Sequence, residues 1–283
     1  MGERDQEDIL IAEELPHVAP VVLAGLRVEE VGPGHVAEPL PQRGEAGHAA
    51  DVGGGDAAAK AAILAALAFG TWVGSDQVYR EGIDRLEIED IRQARRLGYV
   101  VKLLAIADQV DDGISVRVHP SLVPVDHPLA SVRGAHNAVF VEGPAIGDLL
   151  FMGPGAGGDP TATAVLGDVI DAAREMLAGT EVVPRILFGA RRVLDFGDVA
   201  TKWYHRLHVV DEPGVLAAVA GVFGQNGVSI MSVWQEGTGD GANLVIVTHD
   251  APERQHVAAR DALLQLGSVR TVAATIRVVS SEV

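Results

Sequence analysis

Two charged residues four positions apart, Asp56 and Lys60, have the types and spacing most suited to chemistry in this sequence. On a helix they share one face, so that the carboxylate can hold the ammonium. Lys60 is the only charged residue in a stretch of small apolar residues, and a desolvated lysine can exchange a proton near neutral pH. Glu45 and Asp51 precede the pair, so several carboxylates are predicted around one lysine. An exposed ion pair worth about 0.3–0.5 kcal/mol is the alternative interpretation.

A glycine-rich turn, Gly153 to Gly158, runs directly into an alanine-rich segment. Four glycines in six positions allow positive φ angles and a close approach of the backbone to another group. The helix predicted after the turn directs its unpaired N–H groups and positive dipole end toward it, which suits a phosphate or carboxylate. The alternative is that these glycines only permit tight helix–strand packing.

The composition limits the classes of protein to consider. The 283 residues suffice for two domains, and 48% hydrophobic with 4% aromatic residues predicts an aliphatic core. A net charge of −17 argues against nucleic acid and anionic membranes as partners, and no stretch has the length of a membrane span. The absence of cysteine excludes disulfides and thiolate metal sites and fits a cytoplasmic protein. His119, His127 and His136 match no metal-binding spacing and are interpreted as solvated or capping residues.

The elements that must position these residues follow from hydrophobic periodicity and glycine or proline breaks. Residues 45–178 are predicted to form an α+β domain with one sheet covered on one face. Its helices are expected at 56–69, 87–96 and 161–177, its strands at 100–107, 114–118, 138–142 and 149–152, and a loop at 119–127.

The remainder divides into three parts. Residues 1–44 are rich in Pro, Gly, Glu and His and are predicted to be poorly ordered, apart from a strand or short helix at 18–28. Residues 179–202 are predicted to be a linker. Residues 203–281 have the order βαββαβ, which is the ferredoxin-like arrangement.

Taken together, these segments resemble homoserine dehydrogenase in the form that carries a C-terminal ACT domain. The resemblance covers residues 45–178 and comprises several blocks in the right order. They are Glu45-Ala46, Ala50-Asp51-Val52, Gly54, Asp56-Ala57-Ala58-Ala59-Lys60, Val78-Tyr79-Arg80-Glu81-Gly82-Ile83, Leu97-Gly98-Tyr99, Val118-His119-Pro120, Asn137-Ala138-Val139, and Gly153 to Asp168.

The resemblance implies reversible interconversion of L-homoserine and L-aspartate 4-semialdehyde with NAD or NADP. Lys60 would match the family's catalytic lysine, which relays a proton to or from the substrate oxygen. Glu45 and Asp56 would match the carboxylates that hold the substrate's ammonium. Gly155 and Gly157 fall in the turn expected to touch the nicotinamide nucleotide.

Residues 204–281 resemble an ACT domain, a module that usually pairs across an interface and binds an amino acid there. The resemblance therefore implies a homodimer or tetramer. The family implies a place in threonine and methionine biosynthesis, for which threonine is the expected effector, with Asp211, Gly214 and Asn226 as its binding residues.

The sequence also departs from the family. No strand–Gly-x-Gly-x-x-Gly–helix unit precedes residue 45, so the family's Rossmann domain is not matched, and we expect this chain alone to bind dinucleotide poorly and to be weakly active or inactive. Gly47-His48 stands where Asp-Pro is usual, which loosens the loop around Glu45. A catalytically dead, amino-acid-sensing regulatory module is the competing hypothesis.

Overall fold

The computed structural model describes residues 21–27, 52–111, 113–133, 136–155, 157–179, 189, 191–237 and 241–280. Glu45, Asp51 and most of residues 1–44 lie outside these ranges, so the predictions made for them stay predictions. Within 18–28, the described part is a strand, β1 (Val21–Arg27).

The order of the remaining elements confirms a mixed α+β chain whose second half has the order βαββαβ. In the first half the elements are α1 (Gly55–Phe69), β2 (Tyr79–Arg80), α2 (Ile88–Arg96), β3 (Tyr99–Val110), β4 (Gly113–Pro124), β5 (His136–Gly143), β6 (Gly147–Pro154) and α3 (Gly158–Ala178). In the second half they are β7 (Arg192–Val193), β8 (Ala200–Val209), α4 (Val215–Gln225), β9 (Ile230–Gly237), β10 (Ala242–Thr248), β11 (Ala251–Pro252), α5 (Glu253–Leu263) and β12 (Val269–Val278).

Helix α1 begins and ends at glycines. Gly54 before it has φ 73° and Gly70 after it has φ 59°, a left-handed conformation that favours glycine. The helix buries one face of small side chains against alternate residues of β3 and β4, as expected for helix-on-sheet packing. This core contains Ala58, Ala61, Ala62, Ala65, Phe69, Leu103, Ala105, Ala107, Ile114, Val116 and Val118.

One sheet runs through both halves of the chain, in the order β6-β5-β1-β3-β4-β12-β8-β10-β9. Strand β4 pairs antiparallel with β3 along its whole length. Its other edge is shared by three parallel partners in succession: β7 at Gly113 and Ile114, β2 at Arg117 and Val118, and β12 at Ser121 and Leu122. The last strand of the second half thus completes the sheet of the first.

A shared hydrophobic core accompanies this strand pairing. Ile91 and Ala94 of α2 lie in one cluster with residues of β8, β10 and β12 from the second half, namely Tyr204, Val245, Val247, Ile276 and Val278. The two halves are therefore joined by apolar burial as well as by backbone hydrogen bonds.

A buried ion pair reinforces the same junction. Arg206 of β8 donates from Nε to Asp90 Oδ1 at 2.7 Å and from Nη2 to Glu87 Oε2 at 2.8 Å. The side chain of Arg206 is 3% exposed and that of Asp90 is fully buried. These carboxylates raise the pKa of Arg206 despite its desolvation, and they also cap α2, where Glu87 N donates to Asp90 Oδ2.

One sequence-based expectation proves wrong here. The loop predicted at 119–127 is strand as far as Pro124, because the β3 register continues to Tyr99↔Pro124. The linker predicted at 179–202 stays a prediction, and within its described part β7 and a 3₁₀ turn (Phe196–Asp198) lie against the sheet of the first half. No helix among the described residues is long and apolar enough to cross a membrane.

The Arg206–Asp90 pair yields a stability prediction. We expect Asp90→Ala to lower the free energy of unfolding by about 3–5 kcal/mol, because the buried guanidinium of Arg206 then keeps only the exposed Glu87 as a carboxylate partner. Urea unfolding followed by circular dichroism measures the loss. The control is Glu89→Ala, which removes a half-buried carboxylate from the same helical turn that accepts from Gln93 and pairs with Arg92, and it should cost about 1 kcal/mol. Equal losses for the two variants would contradict the assignment.

A second prediction concerns acid stability. His205 lies fully buried against Trp203, Phe223 and His256, and neither ring nitrogen has a hydrogen-bond partner among the described residues. Desolvation, and then the nearby His256, Arg260 and Arg277, lower the pKa of His205 from 6.5 to about 3. The unfolded chain therefore binds the proton first, so the contribution is fully present above pH 6.5 and is lost as pH falls toward 3.

We expect His205→Phe to flatten the loss of unfolding free energy between pH 6 and pH 4 by about 1 kcal/mol per pH unit relative to the unsubstituted chain. Denaturant unfolding at each pH provides the measurement. His249→Gln, at an exposed position, is the control and should leave the slope unchanged. An unaltered slope in His205→Phe would show that this imidazole does not titrate on unfolding.

Candidate active site and regulatory junction

The predicted pair Asp56 and Lys60 forms as expected. Lys60 Nζ lies 2.7 Å from Asp56 Oδ2, one helical turn apart at the start of α1. The expected desolvation of Lys60 is wrong for the described residues: its side chain is 54% exposed and that of Asp56 is 52% exposed. The reason is geometric, since α1 buries its alanine face on the sheet while Lys60 projects from the opposite face, followed by the exposed Ile63 and Leu67. The ammonium is thus available to a ligand.

The glycine-rich turn joins β6 to α3, and two of its glycines meet specific demands. A Cβ on Gly155 would lie 2.2 Å from Asn137 Nδ2, so no side chain fits there without displacing Asn137. Gly157 has φ 144° and precedes the first residue of α3. The tight-packing interpretation therefore explains Gly155, and backbone conformation explains Gly157.

The surface that follows the turn is open. No residue of α3 is buried, and its exposed side chains include Val165, Leu166, Val169 and Ile170. Strand β6 is likewise exposed at Phe151 and the residues on either side of it. The free N–H groups at the start of α3 are those of Gly158 and Asp159, because Pro160 has none and Thr161 N donates to Gly157 O, and the carboxylate of Asp159 opposes an anionic group there.

The three residues predicted to bind an effector lie at the two ends of α4. Asp211 is exposed and accepts a hydrogen bond from Gln235 Nε2 at 3.4 Å. Gly214, with φ 92°, immediately precedes the helix, whereas Asn226 follows its last residue and donates from Nδ2 to Val222 O at 2.8 Å. An 11-residue helix is about 16 Å long, so one small amino acid cannot touch both ends within one chain.

The sequence analysis missed a buried cluster centred on Arg277, at the junction of the two halves. Arg277 donates from Nε and Nη2 to the carboxylate of Glu253 at 3.2 and 3.0 Å, and its Nη1 contacts Glu81 Oε2. Its Nη2 also donates to Tyr79 OH at 3.1 Å. The guanidinium stacks 4.8 Å from the Trp203 ring centroid. A charged residue in the otherwise apolar run 276–279 was the available signal.

Charge and burial in this cluster shift the pKa values of several side chains. Glu253 and Glu81 raise the pKa of Arg277 against its desolvation, and burial raises the pKa of Tyr79. His119, interpreted from the sequence as solvated or capping, is instead fully buried and stacks on Phe196. Desolvation, with Arg277 and Arg117 nearby, holds its pKa well below the usual range. His127 does cap a turn, accepting from Leu129 N at 3.1 Å, and His136 is exposed.

An open groove of about 1430 Å³ borders the cluster. Its lining comes from both halves of the chain and includes Arg80, Asp195, Arg254, Arg260 and Asp261. No group of acidic and histidine residues able to hold a metal ion occurs among the described residues.

Comparison with known proteins assigns both halves. The sequence model of the family described as homoserine dehydrogenase matches residues 42–170, and that of the ACT domain matches residues 206–268.

Relatives and solved structures agree with these matches. The homoserine dehydrogenase of Corynebacterium glutamicum is 47% identical over 214 residues, covering 74% of this chain and 48% of the relative. That of Mycobacterium tuberculosis is 46% identical over 244 residues, covering 82% and 55%. The crystal structure of a homoserine dehydrogenase from Thiobacillus denitrificans superposes with a TM-score of 0.77 at 37% identity, covering 82% of this chain and 54% of that one. The chain spans about half the length of these relatives. It therefore belongs to the homoserine dehydrogenase family, with a catalytic domain of that family followed by an ACT domain.

Proposed function

We propose that this chain supplies the catalytic and regulatory parts of an oxidoreductase that interconverts L-homoserine and L-aspartate 4-semialdehyde. The observation that carries the proposal is the Asp56–Lys60 pair at the open start of α1, inside the segment that matches the family. The pair stands at the position of the lysine and carboxylate through which the family is expected to handle substrate.

Lys60 has the chemistry for proton transfer at the substrate oxygen. As an ammonium it donates a proton to the oxygen of the aldehyde, and as an amine it accepts one from the alcohol. Asp56 holds Lys60 in place through Oδ2. A carboxylate accepts several hydrogen bonds, so Asp56 retains capacity for the ammonium of the substrate. Glu45 is the second carboxylate proposed for that ammonium.

The turn at Gly155 and Gly157 fits the edge of a nicotinamide nucleotide, NAD or NADP. The turn is exposed at Gly155, where Asn137 packs on the backbone, and the N–H groups of Gly158 and Asp159 follow it. When bound, the nucleotide supplies the hydride acceptor or donor for the alcohol–aldehyde pair. The residues of this chain contribute position at that point, while Lys60 moves the proton.

We further propose that the ACT domain binds threonine at the start of α4. The carboxylate of Asp211 suits the ammonium of an amino acid, and the N–H groups after Gly214 suit its carboxylate. Exposed apolar residues on the edge strand β9, including Met231 and Trp234, support pairing of two copies, as a homodimer or within a tetramer. A cytoplasmic location belongs to the same proposal and is compatible with the cysteine-free composition.

The competing function is an amino-acid-sensing module without catalysis. The half-exposed state of Lys60 is the observation that favours it, since burial would have activated the amine. Calorimetric titration with homoserine separates the two proposals, because a sensing module binds threonine but not homoserine.

The role of Lys60 is tested by Lys60→Met. Turnover is followed by the absorbance of reduced nicotinamide. It is measured for the chain alone and for the chain fused to the part of the Corynebacterium glutamicum relative that lies outside the matched region. We expect about a 10²- to 10⁴-fold loss in kcat with homoserine binding largely retained, because the proton carrier is removed. The control is Lys202→Met, a lysine on β8 that pairs with Asp250. Normal turnover by Lys60→Met would refute the proposed role.

The effector site is tested by Asp211→Ala. Loss of a charge-assisted hydrogen bond worth about 1.5–3 kcal/mol should raise the Kd for threonine about 10- to 150-fold. Isothermal titration calorimetry measures it. Glu212→Ala removes the adjacent exposed carboxylate and should leave the Kd within about twofold. If both variants bind threonine like the unsubstituted chain, the effector binds elsewhere.

A further inference from the structure

We propose that Arg277 of the ACT domain is a positioning residue for the Lys60 helix and acts on it through Glu81. The inference rests on the proposed function, because it assigns a purpose to the placement of Lys60. It also stands on contacts that do not depend on that function.

Arg277 contacts the catalytic domain through a buried network of ion pairs and hydrogen bonds. Its guanidinium is 6% exposed and forms a bidentate contact with Glu253, which is itself 3% exposed. The remaining donors reach across the junction to Glu81 Oε2 and Tyr79 OH, and Tyr79 OH also donates to Glu81 Oε2 at 3.0 Å. A buried cation shared by carboxylates from both domains holds them in a single geometry.

The hydrogen-bond partners of Glu253 fix the contact of Arg277 on the ACT side. Glu253 Oε1 accepts from Thr201 Oγ1 at 2.5 Å and from Trp203 Nε1 at 2.9 Å. Trp203 in turn lies under the guanidinium of Arg277. With its partners held in this way, the position of Arg277 follows that of β8 and α5.

Backbone hydrogen bonds and a close approach at Gly82 connect Glu81 to the loop before α1. Glu81 N donates to Val118 O at 2.8 Å, and Ile83 N donates to Val52 O at 3.0 Å. Between them, Gly82 approaches the preceding loop so closely that a Cβ would lie 2.5 Å from Val52 O and 2.9 Å from Gly53 Cα. The segment around Glu81, which Arg277 contacts, therefore packs directly on the loop that leads into α1.

The residues at the start of α1 also lie close to Glu81. Gly54 precedes the helix, its carbonyl accepts from Ala58 N at 2.9 Å, and a Cβ on it would lie 3.7 Å from Glu81 O. Asp56 and Lys60 occupy the first two turns of the same helix. Any displacement of Glu81 is thus transmitted within two residues to the backbone that sets the place of Lys60.

The test measures amide hydrogen exchange by mass spectrometry in peptides that cover α1, using the full chain without substrate or coenzyme. We expect Glu81→Ala to raise exchange in the first turns of α1 about 5- to 150-fold while leaving α5 and β8 protected, because the Arg277–Glu253 contact remains. The isosteric Glu81→Gln keeps an acceptor oxygen and should restore most of the protection.

Arg277→Gln should raise α1 exchange at least as much and also raise exchange in α5 and β8, because Glu253 loses its cation. In α1 the double variant with Glu81→Ala should add little to Arg277→Gln, because both substitutions break one link. Arg254→Gln is the matched control. It removes an exposed ion pair with Asp198 on the same groove and should leave α1 exchange unchanged. If Glu81→Ala leaves α1 exchange as in the unsubstituted chain, or if the two effects simply add, the assignment is overturned.

The exchange experiment needs no turnover. Its outcome is therefore separate from that of Lys60→Met: coupling without homoserine dehydrogenase activity overturns only the proposed function, and activity without coupling overturns only the role of Arg277.

Discussion

The edge of strand β4 is the constraint on which the rest of the structure depends. Three strands from distant parts of the chain, β7, β2 and β12, satisfy its backbone groups in succession. An uncovered edge inside a protein would leave polar groups unpaired, so each partner must be in register for the sheet to be stable. The buried arginines Arg277, at this edge, and Arg206, on the neighbouring strand β8, then fix which side chains from the two domains meet.

A buried junction between the two halves contrasts with an open surface around Lys60. The side chains of Arg277 and Asp90 are buried and hydrogen-bonded, whereas Lys60 and the turn at Gly155 are exposed. Buried charges are costly unless they are paired, so they serve best where geometry must not change. Exposed charges cost little and remain available to ligands. The buried pairs hold the junction with the ACT domain in one geometry, whereas the outward face of α1 is accessible to ligands.

The sequence predicted local features well because these depend on neighbours in the chain. The spacing of Asp56 and Lys60 and the glycines that flank α1 were sufficient to place an ion pair on a helix. The burial of Lys60 could not be predicted, because it depends on which helix face meets the sheet. The roles of Arg277 and His119 required knowing that residues more than 150 positions apart share one edge of β4, as Ser121 and Arg277 do. Neither composition nor periodicity carries that information.

The pairing of β4 with β12 also sets an order of events during synthesis. Ser121 leaves the ribosome long before Arg277, its partner across the sheet. Until then the catalytic sheet carries a free strand edge able to pair with another nascent chain, which is a recognised route to aggregation. Of the strand pairings among the described residues, this one has the greatest sequence separation, and it ties the ACT domain to the catalytic one. Folding of the catalytic half is therefore completed only when the regulatory half has been made.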